Sequence, residues 1–400
     1  MRELEFRTAT KQDLDRVIVI HGSAFPDPRL DPARRRNFLL NPLGTIDRLW
    51  LAIDAGEIVG HAFLFALDAF FGGRAVRVAA IASVGVAPEA RGRGVAGALL
   101  EHLHRVGHEE GAAIAMLYAF RHAFYARHGY APVSTSARCD FAPEAVPASF
   151  CGAYRETESY AARAPETPAL EVLYDRIAET KTGYLRRPRA LWDAKWLDER
   201  NHVVAIGPRD APRGYALYAY SQSEAHARTT ISVEEMVAID PLSRRALFGF
   251  FGVQRDQVTE ITIDLDHGDP IMFALVDPDR RRFCDGTIEH ALGTVIAGPM
   301  VRVLDLDRAL SSRGYMYDTR SRLRLGDRML SLSASGGQGA VSEATSSDVE
   351  IDDGFVGSVL FGGLTPTAAA SLGFARGAGA ALANADTLLG LPPFAALDRF

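Results

Sequence analysis

The sequence predicts a mixed α/β and α+β chain: an opening α/β region, a second region that restates it, and a terminal α+β region. Three observations predict this. Residues 1 to about 140 alternate strand-like and helix-like segments. The stretch "VEEMVAIDPLSRRALFGFF" repeats the grammar of "SVGVAPEARGRGVAGALL" at an offset of 153 residues, with Val84, Val86, Pro88 and Arg91 answered by Val237, Ile239, Pro241 and Arg244. The final hundred residues alternate apolar and polar positions, the mark of half-buried antiparallel strands. The boundaries follow at 1–145, 146–290 and 291–400.

Taken in order, "LWLAID" and "IVGHAFLFAL" flank the turn "AGE" and read as a hairpin. "VRVAAIASVGV" is a long β-branched run. Behind it Val95, Leu99, Leu103 and Val106 recur at helical spacing, one face of an amphipathic helix entered straight from a strand. "AAIAMLYAF" reads as a buried strand, and "HAFYARHGY" as a short helix ending at Gly129. Residues 141 to 170 are punctuated by prolines without periodicity and read as a linker. In the second region Leu247 stands where Gly94 stands in the first, so the repeat is degenerate at that point. "MVRVLDL", "RLRLGD", "MLSLSAS" and "DVEIDD" read as strands of the third region, followed by small-residue helices in "TPTAAASLGFARGAGAALANADTLLG".

Composition narrows the function classes. With 44 basic and 50 acidic residues the formal net charge is −6, which argues against a nucleic-acid binder and suits a cationic small-molecule partner. The three cysteines, Cys139, Cys151 and Cys284, have neither CxxC nor metal-type spacing, so no disulfide framework and no metal site is expected. A charged N-terminus and the absence of any apolar run of about 18 residues give the expectation of a soluble, cytoplasmic protein without a membrane partner.

The chemistry concentrates at Arg91, Gly94 and Ala96, an RxxGxA at the handover from strand to helix. Small residues leave amides uncovered there, and a helix N-terminus adds partial positive charge, so a pyrophosphate can be cradled. Alone, the pattern reads equally as a glycine-rich turn with solvated arginines.

Its context resembles the GCN5-related N-acetyltransferases (GNAT): VxVxPxxRGxG after a long strand, then a second strand and "FYARHGY". The resemblance implies acetyl-CoA as co-substrate. Val84, Gly85 and Val86 would offer backbone groups to the acyl arm, while Arg91, Gly92, Arg93, Gly94, Val95, Ala96 and Gly97 would hold the pyrophosphate. Phe120 and Arg121, ahead of the second helix, complete the implied cofactor set. Over its whole length the chain is similar to the enhanced intracellular survival (Eis) acetyltransferases, which implies two tandem GNAT-like mixed-sheet domains, the second degenerate, and a sterol-carrier-like α+β domain. It further implies amine N-acetylation of aminoglycosides or similar polyamines, or of protein lysines, by a homo-oligomer, the family's form being a hexamer. Tyr125 would be the general acid and the carboxylate of Phe400 the general base. Arg399 stands where the family helps its cationic substrate with an acidic residue.

Those roles meet a definite demand. Freeing a neutral amine with a pKa near 10.4 at pH 7 costs about 4.6 kcal/mol. A desolvated carboxylate eases that loss, and a phenol within reach protonates the departing thiolate. Asp27, in "AFPDPRLD", is a candidate to hold the substrate ammonium, with a turn aspartate as the plain alternative. His102, His104 and His108 crowd one helix without a metal pattern and read as a solvated face. A non-catalytic acyl-CoA or lipid-binding scaffold is the reading from another class.

Overall fold

Among the described residues the alternating segments build two seven-stranded mixed sheets, a five-stranded sheet and a two-stranded one. A computed structural model describes residues 4–26, 31–162, 167–196, 198–222, 229–277, 281–284, 287–395 and 397–400. In chain order the first stretch runs β1 (Glu5–Thr8), α1 (Leu14–Ala24), α2 (Asp31–Leu39), β2 (Leu49–Asp54), β3 (Glu57–Phe71), β4 (Arg74–Val86), α3 (Val95–Glu109), β5 (Ile114–Leu117), α4 (His122–Ala126) and β6 (Ala131–Pro132). The middle runs β7 (Thr135–Phe141), α5 (Ala148–Glu156), β8 (Ser159–Ala161), α6 (Thr167–Ala178), α7 (Arg189–Trp196), β9 (Asn201–Ile206), β10 (Gly214–Gln222), β11 (Thr229–Ala238), α8 (Pro241–Gly252), β12 (Val258–Asp266), β13 (Arg281–Cys284), β14 (Thr287–His290) and β15 (Thr294–Ala297). The last stretch runs β16 (Met300–Val303), α9 (Leu306–Ser312), β17 (Thr319–Leu325), β18 (Arg328–Ser335), β19 (Gln338–Glu343), β20 (Val349–Ile351), α10 (Val356–Leu360), α11 (Pro366–Ser371), β21 (Ala375–Gly377) and α12 (Gly379–Leu389).

Two units result: residues 1–134, 181–191 and 298–400 form one, and 135–180 with 192–297 form the other. In the first unit the sheet order is β1-β2-β3-β4-β5-β16-β6, with β4 and β5 parallel. The hairpin from β2 to β3 turns through Ala55 and Gly56, both at positive φ, as a tight turn between twisted strands requires. Strand β3 is buried on both faces, and its period of two sorts its side chains. Ala62 and Leu64 face α3, in a cluster with Leu99, Leu100 and Leu103. Phe63, Phe65 and Leu67 face a core shared with α1, Phe38 of α2 and the five-stranded sheet β19-β18-β17-β20-β21. The C-terminal hundred residues therefore share a core with the opening ones.

In the second unit the order is β15-β7-β12-β11-β10-β9-β8, with β11 and β12 parallel and α8 linking them. Phe248 and Phe251 of α8 pack on Ile231, Val233, Ile261 and Ile263. This repeats the β4–α3–β5 arrangement, as the 153-residue offset predicts.

Three expectations change. The proposed linker at 141–170 carries α5, β8 and the start of α6, because its prolines open helical turns at Pro143 and Pro147 instead of interrupting them. "MVRV" joins the first sheet, where β16 pairs with both β5 and β6 and buries Met300 and Val301. The terminal small-residue stretch is split by β21, which pairs with β20.

Candidate active site

Parallel β4 and β5 stay together only at Val78–Ala80, opposite Ile114–Met116; β4 then continues to Val86 while β5 ends at Leu117. The divergence has a local cause. On the other edge of β4, Phe63 faces Ala82 but His61 faces Gly85, so β4 carries one extra residue there, and Ser83 adopts φ +51, rare for a non-glycine residue. This bulge bends the end of β4, and among the described residues no strand pairs with its β5-facing edge beyond Ala80. An open edge of amides and carbonyls can accept an extended, amide-bearing ligand as an added strand. Val84, Gly85 and Val86 lie on that stretch.

The strand delivers the chain to the start of α3 through a short turn at Pro88–Ala90. Gly92 and Gly94 take φ +75 and +82, conformations that side chains resist, and a Cβ at Gly92 would meet open space. Gly94 is the N-cap of α3 and no side chain caps the helix, so the amides of Val95, Ala96 and Gly97 are left to a ligand. Arg91 is exposed, yet its guanidinium donates to the Ser23 carbonyl at 2.9 Å, tying the turn to α1. Arg93 pairs with Asp54 and Val95 is buried. Amides, dipole and two arginines fit a pyrophosphate.

Tyr125 lies on α4, 2% exposed, in one apolar cluster with Val95, Leu117, Val84 and Val86. The structure thus brings the general-acid candidate to the strand and loop named for the cofactor. Burial pushes its phenol up to about 12, so it keeps its proton throughout the working range. Phe120 is 72% exposed, with its ring edge-on to Tyr125 at 5.7 Å; Arg121 is exposed at the N-cap of α4. Phe400 packs against the opposite core and reaches the end of β5, its ring 5.5 Å from that of Tyr118. Arg399 is exposed. Asp27 lies outside the described residues.

Family models identify these features. Two models, each described as an acetyltransferase (GNAT) domain, match residues 5–133 and 183–303. The chain belongs to the GNAT acetyltransferases. N-acetyltransferase Eis of Mycobacterium tuberculosis and of Mycobacterium bovis is 26% identical over 273 residues, covering 66% of this chain and 64% of the relative. The match therefore spans just under two thirds of those relatives' length. The fold is shared with a GCN5-related N-acetyltransferase from Anabaena variabilis (TM-score 0.84, 20% identity, 100% of both chains) and one from Kribbella flavida (0.81, 22%, 100% of this chain and 98% of that one). Eis1 from Mycobacterium abscessus shares it as well (0.76, 23%, 100% of both chains).

The second GNAT copy is closed where the first is open. Its α8 starts at Pro241 directly after β11, and the Asp240 carboxylate accepts the Ser243 amide at 2.9 Å. Arg244, the counterpart of Arg91, is held by Asp269 at 2.6 Å. A self-capped helix carrying a carboxylate repels a pyrophosphate.

Two features escaped the sequence reading. The histidine helix is not a solvated face: His104 is buried, its Nε2 2.7 Å from the Tyr130 hydroxyl and its Nδ1 3.1 Å from Arg302, while His102 stacks on Phe6 at 4.5 Å. His102 is half-buried and His108 is exposed. His104 follows Leu99, Leu100 and Leu103 around the buried side of α3, a signal the spacing did carry. The tail is anchored by Arg187, which grips Asp398 through two 2.9 Å hydrogen bonds with both side chains almost fully buried. Tyr118 also donates to the Asp398 carbonyl at 3.3 Å. Nothing in the spacing of residues 187 and 398 announces this pair. Among the described residues no group of histidine, cysteine and acidic side chains could hold a metal, and no helix is long and apolar enough to cross a membrane.

Proposed function

We propose that this protein is an acetyl-CoA-dependent N-acetyltransferase acting on amines of aminoglycosides or similar polyamines. The observation that carries the reading is the open edge of β4 leading into an uncapped α3, with a buried, protonated Tyr125 in the same cluster. Acetyl-CoA supplies the activated acyl group. The edge amides at Val84–Val86 align the acyl arm and the first turn of α3 holds the pyrophosphate, so amine and thioester meet in one complex by direct attack. Tyr125 donates its proton to the departing sulfur. The carboxylate of Phe400, whose ring packs against Tyr118, accepts the amine proton; one extra residue appended after Phe400 displaces it, and unchanged turnover would remove that role. The net charge of −6 suits a cationic acceptor. By likeness to its relatives we propose a cytoplasmic homo-oligomer, hexameric in form, with modules at 1–145, 146–290 and 291–400.

The test is CoA release from acetyl-CoA by purified protein with kanamycin, spermidine and a lysine-rich peptide. Release with kanamycin or spermidine supports the proposal. Release with the peptide alone reassigns the acceptor to protein lysines. Binding of acetyl-CoA without release for any amine replaces the enzyme with an acyl-CoA-binding scaffold.

A further inference from the structure

His61 has no role in the mechanism above, yet its placement is unusual. It sits on β3 opposite Gly85 of β4 and is 0% exposed; one ring nitrogen is turned to the Ser83 backbone, and the other has no hydrogen-bond partner among the described residues. A neutral imidazole carries one donor and one acceptor; with the donor spent on the Ser83 backbone, the buried acceptor nitrogen is left over, at a cost that something else must repay. The ring lies directly against the strand assigned to the acyl arm: a Cβ at Gly85 would come 2.6 Å from His61 Nε2. Glycine at 85 is therefore required by the imidazole, in a strand interior where glycine otherwise weakens the sheet.

The other walls are aromatic. His21 of α1 is stacked at 5.8 Å and Phe38 of α2 is edge-on at 5.7 Å, while Phe25, at the end of α1, stacks on His21 at 4.7 Å. Phe38 is fully buried and Phe25 is 36% exposed, so the aromatic cluster runs from the core toward the surface at the end of α1. Aromatic faces attract alkylammonium groups, and an unpaired imidazole nitrogen accepts a hydrogen bond from one. Burial and the neighbouring His21 hold the ring neutral, its pKa pushed down to about 3, so the cluster does not repel a cation through His61.

We propose that His61 binds the acceptor, an imidazole nitrogen accepting a hydrogen bond from the amine that is to be acetylated, with His21, Phe25 and Phe38 flanking it. This rests on the acetyltransferase reading for its consequence in turnover, and stands apart from it for binding. The role is positioning: His61 fixes the amine beside the acyl arm, and proton removal is left to another group.

His61→Met keeps volume and removes both polar atoms. The variant should fold with a melting temperature equal to or above wild type, since an unsatisfied buried group is gone. The KM for kanamycin or spermidine should rise about tenfold, the worth of one hydrogen bond, with the KM for acetyl-CoA unchanged within about twofold. An unchanged amine KM and kcat overturns the proposal. If His61→Met does not fold, His61→Gln retains a hydrogen-bonding group and takes its place, with an amine KM between those extremes expected. A second readout needs no turnover: the ring 15N resonances of His61, assigned by their loss in the variant, should shift when amine is added to wild-type protein. No shift with saturating kanamycin, spermidine or lysine-rich peptide overturns the proposal even if CoA is released. A shift without CoA release sustains His61 and sinks the enzyme reading alone.

Discussion

Neutralising one end of the Arg187–Asp398 pair should cost the first unit more than any other single charge change at the surface or tail. Both side chains are withdrawn from water, at 0% and 2% exposure, and share two 2.9 Å hydrogen bonds. Asp398→Asn keeps the shape but removes the carboxylate charge that meets the buried Arg187 guanidinium in both hydrogen bonds. Breaking a buried pair in this way costs about 4 kcal/mol. At 2–4 °C per kcal/mol for a unit of this size, the melting temperature should fall by roughly 8–16 °C. The double variant Arg187→Met, Asp398→Leu removes both charges, and should recover most of the loss because the desolvation penalty goes with them. Calorimetry of the wild type, the two singles and the double closes the cycle. A loss below about 2 °C for Asp398→Asn, or a double variant as unstable as the singles combined, refutes the argument that desolvation dominates here. CoA release gives the functional half: the pair holds residues beside Tyr118 and Phe400, so Asp398→Asn should lower turnover at temperatures where the fold is intact.

Other outcomes follow from the same geometry. Tyr125→Phe keeps the ring and its packing, and should lower kcat by about a hundredfold or more while leaving acetyl-CoA affinity and melting temperature unaltered; a kcat above half of wild type removes the phenol from the mechanism. Gly94→Val forces a β-branched residue to φ +82 at the uncapped start of α3, and should raise the acetyl-CoA dissociation constant at least tenfold by calorimetric titration. The same titration on wild type should return one acetyl-CoA per chain, since Asp240 closes the second copy; two sites would contradict that. His61 and His104 are both held near pKa 3 against about 6.5 when unfolded, so the unfolded chain binds more protons below pH 6.5. Stability is then complete above 6.5 and falls as pH drops from 6.5 toward 3, by up to about 1.4 kcal/mol per pH unit for each group, and urea melts of wild type and His61→Met should diverge in that window.

The backbone geometry of the candidate cofactor stretch was legible in the sequence because it is local. Val84 to Gly97 is one continuous stretch, and its demands for an extended strand, positive φ and bare amides are met by residue types that show in sequence. Tyr125 was singled out through its setting in "FYARHGY", and the structure buries it beside that stretch. The bulge was not legible, since Ser83 carries no glycine to mark its positive φ. His61 escaped for a related reason: in "IVGHAFLFAL" it reads as one polar residue in a buried strand, and its meaning depends on Gly85, a neighbour across the ladder. Arg187 and Asp398 lie 211 positions apart, and only the packed fold reveals that they share one desolvated site.

The two GNAT copies show how little separates a binding site from a structural joint. Both carry a parallel strand pair joined by a helix, and both place proline and arginine at matching positions. In the first, glycine at the cap leaves the dipole and three amides unspent, and no local partner satisfies them. In the second, Asp240 takes the amide of Ser243 and Asp269 takes Arg244, so the counterpart arginine and one amide of the first turn are already engaged within the chain. The first helix start is therefore the less stable of the two until a ligand arrives. On the proposed reading the acyl carrier supplies an anion there, and acetyl-CoA should raise the melting temperature of this unit in proportion to the logarithm of its concentration above the dissociation constant.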